Sequence, residues 1–63
     1  MTPLDVAIAI LHAVHVDRFQ GSQHPQQQAL AKMTAAEVWA ACNDGQREFA
    51  MLAARVAWRM LRG

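Results

Sequence analysis

An all-α fold is predicted for this chain, a small bundle of three helices, or four if the second breaks near Thr34. Three features predict it. Apolar residues recur at three- and four-residue steps, helix starts and stops punctuate the chain, and β-branched residues never alternate with polar ones over a useful run. With 63 residues the chain makes a single helical domain, 1–63, and a domain of this size buries only about 60% of the surface its unfolded chain exposes. Its stability therefore needs support from packing or association.

The first helix starts at Thr2-Pro3-Leu4-Asp5. Thr2 suits the cap, Pro3 the first helical position, and Asp5 the positive end of the helix dipole. It runs to about Phe19 and stops at Gln20-Gly21-Ser22, where Gly21 supplies the left-handed conformation that often ends a helix. A second segment spans Pro25 to Cys42. Within it, Thr34-Ala35-Ala36-Glu37 has the spacing of a capping box, which predicts a kink or restart near Thr34. After the compact turn Asn43-Asp44-Gly45, a third segment extends from Gln46 to Arg62. So short a link predicts that the second and third segments form an antiparallel hairpin.

That third segment carries more apolar surface than one partner helix covers. At about 100° per residue, Phe49, Leu52, Val56 and Met60 fall on one side, and Met51, Ala54, Trp58 and Leu61 on another. Only a narrow strip, with Glu48, Arg55, Arg59 and Arg62, is polar. Phe49, Leu52 and Val56 are expected in the core. Met51, Trp58 and Leu61, rimmed by Arg55, Arg59 and Arg62, are the expected partner-binding surface, because tryptophan, methionine and arginine are enriched at protein interfaces. The first helix is also apolar nearly all round, with Leu4, Ala7, Leu11 and Val14 on one face and Val6, Ile10 and Ala13 on the other. Such a surplus suits self-association.

Composition excludes several function classes. The chain is 54% apolar and 17% charged, against typical values of about 45–50% and about 25%, so it is not disordered. A net charge of +1 creates no strong field toward nucleic acid or anionic lipid. The longest uncharged apolar run, Val6 to Val16, contains His12 and His15 and falls short of the roughly 18 residues of a membrane span, so no transmembrane segment is expected. Asp5 stands where a secretory signal carries basic residues. The single cysteine, Cys42, rules out an intramolecular disulfide and fits a reducing, cytoplasmic setting.

Catalytic and metal chemistry are not expected. His12 and His15 share a helix face, but a structural metal site needs about four ligands, and His24 and Cys42 stand at no ligand spacing from them. Histidines so placed border a core and hydrogen-bond nearby groups. Cys42 ends an alanine-rich helix as a small space-filling thiol, and no glycine-rich phosphate loop or carboxylate pair is present. No cofactor is expected.

The function expected is therefore a small non-catalytic protein-interaction module. It would be homodimeric and would act as a regulator or inhibitor on a larger protein, as many small phage and mobile-element proteins do. The alternative is a dimeric DNA-binding regulator using the arginines of the last helix, with Gln46 and Arg47 as base readers. A cationic helix lying on a membrane surface is a third reading, weakened by Glu48 and the low net charge.

Overall fold

All helices but one begin where a side chain closes the first turn. In the computed structural model, which describes residues 1–62, four helices follow in order: α1 (Pro3–Phe19), α2 (Pro25–Ala31), α3 (Ala35–Ala41) and α4 (Asp44–Arg62). Three of them start with the same reciprocal device. Thr2 N donates to Asp5 Oδ2 (2.8 Å) while Asp5 N donates to Thr2 Oγ1 (3.3 Å). Thr34 and Glu37 exchange the corresponding bonds at 3.0 and 3.2 Å, as do Asn43 and Gln46 at 2.9 and 2.8 Å. Each box satisfies amide donors that the helix cannot use internally. The α2 start lacks a side-chain cap. Ser22 organises it instead: Ser22 Oγ accepts from His24 N (3.2 Å) and donates to Gln27 Oε1, and Ser22 O accepts from Gln28 Nε2 (2.9 Å).

The stops follow equally local rules. Gly21, at φ +78°, is the one glycine in the left-handed region among the described residues, and it turns the chain after α1. The box at Thr34 breaks the second segment, so the four-helix form is the one adopted. Gly45 lies inside the first turn of α4, because Asn43 caps the helix and α4 starts at Asp44, two residues before the expected Gln46.

α1 is the axis of the molecule, and α2, α3 and α4 all pack on it. The expected antiparallel hairpin exists only as a corner. α3 has two turns, its buried residue Val38 is not matched by a long face on α4, and the two helices are joined chiefly through Arg47. Arg47 Nε donates to Trp39 O (3.0 Å) and Nη2 to Ala40 O (3.1 Å), while the guanidinium lies 5.8 Å from the Trp39 ring centroid. Both carbonyls belong to the last turn of α3, where Trp39 O also accepts from the cap amide Cys42 N (3.3 Å), so Arg47 adds donors to the end of α3 from outside and ties it to α4.

That orientation overturns the expected core. Ala7 of α1 meets Ala50 and Ala54 of α4, all but inaccessible to solvent, with Val6, Ile10, Leu11, Trp39 and Met51 packed around them. No side chain larger than valine is buried among the described residues. Phe49, Leu52 and Val56 are exposed. Both faces of α4 are apolar, and Arg47 lies on the alanine side of the helix, so the arrangement that buries the alanine face is also the one in which Arg47 reaches the end of α3. With Arg47 held there, Ala50 and Ala54 turn toward α1, and alanine's small side chain lets the two helices approach closely.

Two expectations test this packing. Ala54→Leu forces extra methylene groups into the closest contact in the molecule and is expected to cost about 1–3 kcal/mol, read as a lower urea midpoint. The second concerns acid. The Thr34 amide, and then its hydroxyl, hold the Glu37 carboxyl below its ordinary value, and the Thr2 amide and hydroxyl do the same for Asp5. A carboxylate with a depressed folded-state value stabilises the fold above its unfolded value, near pH 4, and that contribution is lost as pH falls through the folded one. Stability is therefore expected to fall below about pH 4. The fall should be shallower in an Asp5→Asn, Glu37→Gln double variant, measured by urea unfolding between about pH 3 and about pH 6.

Candidate functional site

The outer face of α4 is the largest continuous feature that the fold leaves unexplained. Phe49 (74% exposed), Leu52 (58%), Val56 (50%) and Met60 (78%) form one row along it. At about 100° per residue this row is centred about 135° round the helix from Ala50 and Ala54, so it faces away from α1. One edge of the row carries Glu48, Arg55 and Arg59, all exposed, and the other carries the small residues Ala53 and Ala57. Isolated exposed apolar residues are ordinary, whereas four large ones in a row on one helix face form a continuous apolar patch.

The residues expected to bind a partner are divided by this arrangement. Met51 packs against the alanine cluster and Trp58 is half-buried on the same side. Arg55, Arg59 and Arg62 are exposed along the polar strip. Leu61 is in line with Ala50 and Ala54 yet 77% exposed, since it lies at the far end of α4. Only the three arginines and Leu61 therefore stand on the open surface. The row Phe49, Leu52, Val56, Met60 was legible in sequence as a face, but it was assigned to the core. A run of alanines at positions 50, 53, 54 and 57 was the signal for the alternative.

The groups capable of chemistry are engaged in holding helices. His12 Nε2 lies 3.1 Å from Met33 O, and His15 Nε2 lies 2.7 Å from Leu30 O. A carbonyl oxygen only accepts, so both rings donate from Nε2–H. The pair thus reaches from α1 to the segment that closes α2, where His12 meets the Met33 carbonyl just past the helix and His15 adds a second donor to the Leu30 carbonyl, which also accepts from Met33 N (3.2 Å). His15 also stacks at 4.8 Å on Phe19, which Arg18 covers at 5.3 Å. Cys42 is a half-buried free thiol that caps α3 through its backbone N–H. Among the described residues no group of three or more His, Cys, Asp or Glu side chains is placed to hold a metal ion.

Concave space is limited. A crevice of about 110 Å³ between α1 and the α3–α4 corner includes Leu11, His15, Val38 and Cys42 in its walls, well below the roughly 300–1,000 Å³ of small-molecule pockets. A larger depression of about 480 Å³ is formed by the α4 residues Asp44, Arg47, Glu48, Met51 and Arg55. It is open and lined by charges of both signs. Two of these, Arg47 and Asp44, are paired at 3.2 Å. No described helix is long and apolar enough to cross a membrane. Comparison of the chain with protein-family models, curated proteins and solved structures returns no match.

If the two histidines serve to anchor α2, replacing both with alanine should loosen that helix selectively. Each bond is worth about 1 kcal/mol. Amide exchange is expected to accelerate across residues 25–33 in the double variant, with protection in α4 retained. Equal loss of protection in α4 would show that the histidines support the whole fold.

Proposed function

We propose that this chain is a small non-catalytic interaction module that works by presenting the outer face of α4 to another protein surface. The observation that carries this reading is the exposed row Phe49, Leu52, Val56, Met60, set outside a core made mostly of alanine. Burying such a row removes large apolar side chains from water, the dominant favourable contribution to most protein associations. The polar edge of Glu48, Arg55 and Arg59 supplies the rim that restricts partner choice. The partner is a second copy, a larger protein, or both in turn. Occupying a surface on a larger protein gives the module the role of a regulator or inhibitor in a reducing, cytoplasmic setting, where Cys42 stays a thiol.

Several observations support a non-catalytic role. His12 and His15 are committed to α2 carbonyls, Cys42 sits at a helix end, and the crevice beside it is small. The alternative, a DNA-binding regulator, is favoured by the exposed arginines Arg55, Arg59 and Arg62. It is weakened at its base-reading positions. Gln46 is bonded to Asn43, and Arg47 to the end of α3.

Phe49→Asp separates an interaction face from a core. The variant is expected to retain the helical far-ultraviolet signal and to lose the proteins that cross-link to the wild type in its host. Unfolding of the variant would return Phe49 to the core, and retention of every cross-linked partner would remove the row from the binding surface.

A further inference from the structure

We propose that the occupant of this face is α4 of a second copy, packed antiparallel about a two-fold axis near Ala53 and Ala54. The inference rests on the reading of α4 as an interaction face and adds the partner and its register.

The chain as a whole exposes enough surplus area to supply one side of a stable pair. The chain exposes 4841 Å², whereas a folded monomer of 7.0 kDa typically exposes about 4,000 Å². The difference, about 800 Å², is what each partner contributes to an interface of standard size. Shape agrees with area. The radius of gyration is 12.8 Å against about 11 Å for a compact chain of this length, and the molecule measures 42 × 22 × 16 Å. The excess is a long, narrow body with an uncovered helix face, the form that side-by-side pairing of α4 with itself makes compact.

Charge selects the orientation. Glu48 and Arg59 lie on the same edge of the apolar row, one near each end of it. In an antiparallel pair related by a two-fold axis, that edge faces its own copy, so Glu48 meets the partner's Arg59 and Arg59 meets the partner's Glu48, two attractions that outweigh the single like-charge approach of Arg55 to the partner's Arg55 near the axis. In a parallel pair the same edge faces Ala53 and Ala57, and both charges go unanswered. Complementary charge of this kind sets register and orientation in helix pairs.

The register chosen by charge is also one in which the side chains interleave. With Glu48 level with the partner's Arg59, Phe49 falls midway between the partner's Val56 and the partner's Met60, and Leu52 lies level with the gap beside the partner's Val56. This is the knob-and-hole arrangement of paired helices. Sliding the pair by one turn toward the α4 N-termini brings Glu48 level with the partner's Arg55 instead, but it carries Met60 past the end of the other helix. Met60 is 78% exposed in the single chain, and only the first register covers it.

Sedimentation equilibrium of the full chain, across the micromolar range to about 1 mM, tests the pairing, with circular dichroism confirming that each variant stays helical. The wild type is expected to dimerise, and Val56→Asp to weaken the dimer roughly tenfold or more. Glu48→Arg and Arg59→Glu each place like charges together and should weaken self-association. Mixed in equal amounts, these two variants should form a heterodimer in preference to either homodimer, because positions 48 and 59 then join opposite charges at both ends of the edge, while the Arg55 pair at its centre is the same in all three dimers. A wild type that stays monomeric would overturn the second copy as occupant while leaving α4 as a face for another protein. A dimer insensitive to Val56→Asp would overturn the interface. A dimer that needs Val56 but shows no preference in the mixture would overturn the antiparallel register.

Discussion

The contact between Ala7 on α1 and Ala50 and Ala54 on α4 sets the geometry of the molecule. Small side chains on both helices permit a close approach, and a close approach leaves no space beside it for large residues. Val6, Ile10, Leu11, Trp39 and Met51 therefore pack round the seam, while Phe49, Leu52, Val56 and Met60 of α4 point outward. An alanine methyl offers little area, about 0.8 kcal/mol of transfer free energy when fully buried. A core built this way stabilises a chain of 63 residues only modestly, and other interactions have to specify the fold.

Those interactions lie at the helix ends. Two-turn helices such as α2 and α3 leave most of their terminal amides and carbonyls without internal partners. The starts are closed locally by reciprocal boxes at Thr2, Thr34 and Asn43. The ends of α2 and α3 are closed from other helices, by His12 and His15 on α1 and by Arg47 on α4. Since these polar groups bond only in one relative placement, they select a single arrangement from the many that an alanine-rich interior tolerates. Arg47 has the widest reach, because its bonds to the end of α3 form only when the alanine face of α4 meets α1.

The proposed interaction surface follows from that choice. Once the alanine face of α4 is spent on α1, the row from Phe49 to Met60 has no intramolecular partner, and α2 and α3 are too short to reach round to it. The charged edge of the row is open to solvent for the same reason. A weakly cored chain with one long uncovered helix face gains from association what its own interior does not provide. The histidines and Arg47 contribute to the scaffold that displays this face, so side chains rich in chemical potential act as fasteners.

Local structure was legible in the amino-acid order. The helical class, the break at Thr34, the cap at Thr2 and the left-handed Gly21 are settled within a few residues by side chain to backbone bonds and by backbone sterics, so neighbouring residues suffice to read them. The two apolar faces of α4 were legible too, as positions on a wheel. Which face is buried was not, because both satisfy the same periodicity, and hydrophobicity alone ranks Phe49, Leu52 and Val56 above alanine for the interior. The decision belonged to tertiary structure. It depended on Arg47 reaching carbonyls of α3 and on how closely α1 and α4 approach, and both are relations between residues far apart in the chain.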